Sequence, residues 1–437
     1  MTASSPMPAP QDWQVAHHPA DHTGPGYAVY QRGSHADGTY IRVYVPEQAR
    51  SPRPEPLRAI TYLHGFALCM PSFYEAHLVE LVRQGNLVFF PDFQRSLYPD
   101  TPPGAPAAVR QERRDAALWR GVLQQTADID AEEEVFPATL RKALGVESDD
   151  SGGAGIPAAA LRRTLWPLLV VLALLEALSW FRRRYGRNLI HLLSTVALSL
   201  AVAPRQWLEM AIDRVDGAWA DLSGLDDFRH WAGQCVQPVA FGHSLGGLLA
   251  LSLPSAYRHR ADQRFAPSQV LVADPAASSE MGIPRLAIWL LKLFGAPFTA
   301  DPLRITSTGA ALSVPVAILH GAADRLVPPD QWATARGGPG PNFTAIASTS
   351  KALLFSCSNP EAAPPLVAFH NQAVTSTAYY DDALFRSFGG VKHGANAYNT
   401  QFIWPALRLL LCGEATPRQL IERLCPCAFR VEPLPPP

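Results

Sequence analysis

The stretch VAFGHSLGGLLALSL, residues 239 to 253, constrains the fold more than any other part of the chain. An apolar run ends, a polar residue stands among small neighbours, and a second apolar run of helical length follows. Gly242, Ser244 and Gly246 form G-x-S-x-G, the pattern of a serine carried on a sharp strand-to-helix turn. Such a turn strains the serine backbone, and side chains two positions either side would collide with their surroundings. The glycines remove those side chains. The serine hydroxyl then stands at a helix N-terminus, where free N–H groups and the helix dipole favour a developing oxyanion. The five-residue pattern alone arises by chance in about one chain in ten at ordinary glycine usage, so its surroundings decide its meaning.

Those surroundings read as an α/β chain. RAITYLHGF (58 to 66) and NLVFFPDF (86 to 93) are short apolar runs ending in turn residues, with the helical pattern FYEAHLVELVRQG between them. This is a βαβ unit with buried parallel strands. YAVYQRG (27 to 33) and TYIRVYVP (39 to 46) alternate apolar and polar residues around SHADG, as a hairpin at a sheet edge does. VQPVAFGHS (236 to 244), QVLVADP (269 to 275), VPVAILHGAAD (314 to 324) and KALLFSCS (351 to 358) supply further strands at helix-length spacing. The expected fold is a mostly parallel, doubly wound sheet with a helical cap inserted between the fourth and fifth of these strands.

The expected organisation is a mobile tail over 1–24, a first core part over 25–102, the cap over 103–203, a second core part over 204–424, and a proline-rich tail over 425–437. The cap carries a charged helix, AVRQERRDAALWRGVLQQ, an acidic joint, VESDDSGGAG, and two apolar runs, Leu165–Trp180 and Leu189–Ala203. The first run, LWPLLVVLALLEALSW, spans roughly 24 Å as a helix, short of the roughly 30 Å hydrocarbon core. Its leucines and valines favour insertion by about 0.3 to 0.6 kcal/mol each, while Glu176 costs about 2.5 to 3.5. A spanning hairpin would also carry FRRRYGR across the bilayer, against the positive-inside rule. Three readings stay open: a hairpin resting in one leaflet with Arg162, Arg163 and Arg182 to Arg184 on headgroups, a soluble lid over an acyl pocket, and a spanning hairpin. His191, Thr195 and Ser199 share one helical face of the second run, a weakly polar stripe suited to two environments.

Composition narrows the function. Of 437 residues, 17% are charged and the formal net charge is −1, so nothing global points to nucleic acid. The six cysteines show no framework spacing, which fits idle or buried thiols. No H-E-x-x-H, P-loop, G-x-G-x-x-G or clustered Cys/His set is present, and neither cofactor nor metal is expected. MTASSPMPAPQDW has no basic stretch ahead of an apolar run, so the expected location is cytoplasmic, with peripheral or monotopic membrane attachment through 162–203 as an option.

With LHGF at 63 to 66, GHSLGG at 242 to 247 and HGAADRLVPP at 320 to 329 in that order, followed by histidines, the chain resembles the α/β-hydrolase superfamily over roughly 25 to 102 and 204 to 412. The resemblance implies a serine esterase or lipase with Ser244 as nucleophile, and the Phe66 and Leu245 N–H groups as a two-donor oxyanion hole. Asp324 is placed to orient the base, with a turn-capping role as the plain alternative. Asp274, in VADP, is the rival acid, since some hydrolases draw the acid from that loop, although a turn role before Pro275 is available. Two histidines compete as base. His370, in APPLVAFHNQA, lies a dozen residues after the last clear strand, on the loop where family members place the histidine, and its run resembles one in a group of uncharacterised bacterial hydrolases; His393, in GGVKHGANAY, precedes the last helical segment. The implied substrate is an ester with an apolar or lipid-like acyl group, from the apolar cap. An acyltransferase or thioesterase would use the same residues, and a non-catalytic membrane-associated adaptor could keep the fold without the activity.

Overall fold

A computed structural model of the chain describes residues 13–47, 57–96, 98, 100–103, 195–281, 283, 285–359, 366–376, 394–424 and 428–431. Among the described residues ten strands form one sheet: β1 (Gln14–His18), β2 (Tyr27–Arg32), β3 (Ile41–Pro46), β4 (Leu57–Leu63), β5 (Leu87–Pro91), β6 (Val236–His243), β7 (Gln269–Ala273), β8 (Val316–Gly321), β9 (Lys351–Ser356) and β10 (Ala428–Arg430). Their spatial order is β1-β2-β3-β5-β4-β6-β7-β8-β9-β10. From β5 to β9 every neighbouring pair is parallel, and the flanking pairs on both sides are antiparallel.

The parallel strands are apolar along nearly their whole length because helices cover both faces. On β4, Ala59 and Leu63 join one core, while Ile60 and Tyr62 join the other, the two-residue alternation of a pleated strand. Helices α2 (Pro204–Leu222) and α3 (Leu245–Tyr257) cover the first face, and α1 (Glu75–Arg83) and α5 (Trp404–Leu411) the second. A further helix, α4 (Arg285–Leu293), buries none of its residues. In α2, Trp207, Leu208, Ala211, Ile212, Val215, Ala218, Trp219 and Leu222 are all buried, the three-and-four spacing of one inward face. Pro204 opens that helix, where its missing N–H costs nothing.

Three expectations change. The β2–β3 pair is antiparallel, as the alternation predicts, and Gly33 turns the chain at φ 73°. It is not the sheet edge, because Gln14–His18, inside the expected mobile tail, pairs outside β2. QVAHH is too short and too polar for its alternation to stand out. Likewise Ala428–Arg430, in the expected proline-rich tail, pairs with β9 and closes the other edge.

The chain leaves the sheet after β5 and returns to it at β6. Residues 104–194, with the run Leu165–Trp180 and the start of the second apolar run, lie outside the described residues. The end of the second run is core: residues 195–200 are helical, and Thr195, Ala197, Leu198, Ser199, Ala201 and Val202 are buried. Ser199 Oγ accepts a hydrogen bond from Gln94 Nε2 at 3.0 Å. The described part of the polar stripe therefore faces protein. Among the described residues no helix is long and apolar enough to cross a membrane.

Candidate active site

Strand β6 delivers its last residue, His243, to the carboxyl edge of the sheet, and the chain reverses at once into α3. Ser244 makes that turn with φ 56° and ψ −119°, a conformation a non-glycine residue holds only when its surroundings enforce it. Enforcement is visible at the glycines. A Cβ on Gly242 would lie 2.2 Å from the Gly246 carbonyl oxygen, and one on Gly246 would lie 2.2 Å from the Leu63 carbonyl oxygen at the end of β4. The turn closes tightly only because both positions lack side chains.

Two loops from later strands meet Ser244. His370, opening the 3-10 turn His370–Ala373 after β9, places Nε2 2.8 Å from Ser244 Oγ. Its Nδ1 lies 2.7 Å from Asp324 Oδ2. Asp324, just past β8, is fixed by its second oxygen, which accepts the Leu326 and Val327 N–H groups at 2.8 and 2.9 Å. Asp324 and His370 are buried, so water competes little for these bonds. A serine at the elbow after β6, a carboxylate after β8 and a histidine after β9, on this strand order, are one arrangement. The chain has the α/β-hydrolase fold.

No protein-family model and no curated protein sequence matches the chain. Solved structures similar to this hydrolase fold include a peroxisomal α/β-hydrolase from Saccharomyces cerevisiae, at 11% identity over 83% of this chain and 84% of that chain, TM-score 0.34. A cold-adapted esterase from an Arctic intertidal metagenomic library is similar at 11% identity over 84% and 95%, TM-score 0.33. The monoacylglycerol lipase of Paleococcus ferrophilus is similar at 17% identity over 37% of this chain and 66% of that chain, just under two thirds of its length, TM-score 0.24.

Asp274, the rival acid, sits at the end of β7 with φ 47° and is turned elsewhere. Its Oδ1 accepts the Gly321 N–H at 2.8 Å and the Tyr398 hydroxyl at 2.9 Å, tying β7 to β8 and to the segment before α5. His393, the rival base, lies outside the described residues. His320, at the end of β8, is buried, and burial pushes it down to about 4. It is neutral near pH 7, with Nδ1 2.9 Å from the Gly321 carbonyl oxygen.

Phe66 and Leu245 line the same pocket as Ser244 and His370. Ala67, which follows Phe66, holds φ 57°. Its N–H donates to Gln94 Oε1 at 2.9 Å and its carbonyl accepts the Tyr98 hydroxyl at 2.9 Å. The loop carrying the Phe66 N–H is therefore clamped on both sides. The pocket holds about 350 Å³, and Trp207, Ala276, Met281, Ile283, Leu326 and Val327 give it apolar walls, the character of a site for an apolar group.

Sequence reasoning missed a buried network beneath the site. The Gly65 N–H donates to Tyr74 Oη at 2.8 Å, Tyr74 Oη lies 2.9 Å from His243 Nδ1, and His243 Nε2 lies 3.1 Å from the His370 carbonyl oxygen. Neutral His243 with its proton on Nε2 satisfies every link: the tyrosine hydroxyl donates to Nδ1, and the Nε2–H donates to the carbonyl. Burial drives the Tyr74 phenol well above its usual range, so it stays a donor. The network joins the residue before Phe66, the residue before Ser244 and the backbone of His370. His243 stood in view as the second residue of the motif, but no spacing signals a partner 169 residues away.

Two buried groups bring metal-ligand atoms together among the described residues: His64, Cys69 and Asp92, and Asp274, His320 and Asp324. Their carboxylates already have internal donors. Asp92 accepts from the Gln94 N–H at 2.7 Å and pairs with His35 Nδ1 at 2.7 Å, while Asp274 and Asp324 hold the bonds described above.

Proposed function

We propose that this chain is a serine hydrolase that cleaves carboxylic esters, with an apolar or lipid-like acyl group, through an acyl-enzyme on Ser244. The observation that carries the reading is the unbroken series from Ser244 Oγ to His370 Nε2 at 2.8 Å and from His370 Nδ1 to Asp324 Oδ2 at 2.7 Å. In this mechanism His370 takes the Ser244 proton as Oγ attacks the ester carbonyl carbon, and Asp324 stabilises the imidazolium. The carbonyl oxygen, now negative, is held by the Phe66 and Leu245 N–H groups. Collapse expels the alcohol with the proton from His370. Water, deprotonated by the same histidine, then attacks the acyl-enzyme and releases the acid. The apolar pocket walls support the choice of acyl group. In this reading residues 25–102 and 204–424 form the catalytic core and 103–203 the cap.

A fluorophosphonate probe tests the proposal, because it phosphonylates only a serine activated by its base. Wild type should gain one probe mass, and Ser244→Ala and His370→Ala should gain none. Folded wild type that stays unlabelled would remove the enzyme reading in favour of a non-catalytic one.

A further inference from the structure

Helix α4 is out of place in a water-facing setting. Its sequence RLAIWLLKL carries seven apolar residues in nine, yet Leu286, Trp289 and Leu293 are 68%, 58% and 64% exposed, and Phe294 just beyond is 69% exposed. Leu286, Trp289, Leu290 and Leu293 follow the three-and-four spacing of a single face. Monomeric soluble proteins rarely leave a contiguous patch of this kind bare.

The helix is firmly made and firmly placed. At its C-terminal end Gly295 adopts φ 69°, its N–H donates to the Lys292 carbonyl at 3.1 Å, and the Ala296 N–H donates to the Leu291 carbonyl at 2.8 Å. That pair is a Schellman stop, which ends a helix decisively. The chain then dives inward at Ala296 and Phe298, both buried, with the Phe298 ring centroid 6.0 Å from that of Trp207. Trp207 lines the pocket beside Ser244, and so do Met281 and Ile283 on the approach to the helix.

The charges select what covers this face. Arg285 and Lys292 are the helix's ionisable residues, both exposed and both cationic. The acid just upstream, Glu280, is engaged by Arg304 at 3.2 Å. An apolar face with a central tryptophan, on a helix whose own ionisable residues are both cations, matches the boundary between acyl chains and anionic headgroups. Nine residues rise only about 14 Å, less than half a hydrocarbon core, so the helix lies along a surface. We infer that the face Leu286, Trp289, Leu290, Leu293 and Phe294 docks on an anionic lipid surface and sets the pocket mouth against it. The inference uses residues 285–294 and stands whether or not Ser244 is catalytic.

Co-sedimentation of the full chain with phosphatidylcholine vesicles, with and without about one-third phosphatidylglycerol, tests it. The comparison is with Leu286→Ser/Trp289→Ser/Leu293→Ser and with Arg285→Gln/Lys292→Gln, each first shown to unfold cooperatively at the wild-type temperature. Wild type should pellet with anionic vesicles, the apolar triple variant should bind at least about 100-fold more weakly, and each lost cation should cost about fivefold. Wild type that stays in the supernatant at every lipid concentration overturns the inference. Binding that the triple variant retains also overturns it, because another surface is then responsible. A wild-type dimer that the triple variant converts to monomer overturns it too, since the face would then cover a second copy of the chain.

Discussion

Tyr74→Phe deletes one oxygen atom and tests whether the buried network positions the reacting groups. The hydroxyl accepts from the Gly65 N–H and donates to His243 Nδ1, and both partners are enclosed. Each group left without a partner costs about 1–3 kcal/mol, so the variant should lose about 3 kcal/mol of stability. The catalytic effect follows from position. Gly65 precedes Phe66, the proposed oxyanion donor, and losing such a donor outright costs about 10² to 10³ in kcat; loosening its support should cost about tenfold in kcat, with KM nearly constant. Urea unfolding followed by tryptophan fluorescence gives the first quantity, and p-nitrophenyl butyrate hydrolysis gives the second. Tyr62→Phe is the matched control, since it deletes a buried hydroxyl 3.0 Å from His77 Nδ1 on the α1 side of the sheet. It should lower stability and leave kcat unchanged. If Tyr74→Phe lowers stability but leaves kcat within twofold, the network supports the fold and not the site. If it changes stability by less than about 0.5 kcal/mol, the hydrogen bonds are not made as described.

The two carboxylates should separate by function. Asp324→Asn should lower kcat by about 10³ to 10⁴ with KM little changed, since the amide sets the wrong histidine tautomer; Asp274→Asn should instead cost about 1–3 kcal/mol of stability by weakening the bonds to Gly321 and Tyr398. Equal losses of kcat at both positions would refute the assignment of the acid. Acid should destabilise the fold before most carboxylates titrate. Burial holds His77 at about 3 and His320 at about 4, both below the ordinary 6.5. A histidine depressed in the native state binds its proton first in the unfolded chain, so stability falls as pH drops below 6.5 and levels off only below the native values. At pH 4.5 each should have removed about 2 to 3 kcal/mol relative to pH 7.5. Denaturant midpoints at the two pH values measure this, and a flat profile would refute the burial argument.

Much of the fold was legible because its determinants are local. β4, β6 and β8 are short apolar runs punctuated by turn residues, and the elbow glycines answer a steric demand that acts within four residues. Asp324 and His370, the proposed acid and base, could be nominated for a related reason, since each stands on a loop that follows a parallel strand at the carboxyl edge. Gln14–His18 and Ala428–Arg430 were not, because an edge strand is selected by the backbone groups of its neighbour and needs little apolar pattern of its own. Tyr74 and Gln94 escaped for a third reason. Their contacts, to His243 and to Ala67, join segments whose separation along the chain carries no periodicity.

The two late-found strands have a practical meaning for anyone trimming this chain. β1 and β10 add no reacting group, yet they cover β2 and β9, strands buried along nearly their whole length. A fragment bounded by the chemistry, from Tyr27 to Cys412, would keep the described Ser244, Asp324 and His370 and still bare two long apolar margins, each a template for pairing with a neighbouring molecule. The boundaries of the expressible unit are thus set by hydrogen-bond closure at the sheet's margins, at Gln14, thirteen residues ahead of Tyr27, and at Arg430, eighteen residues past Cys412.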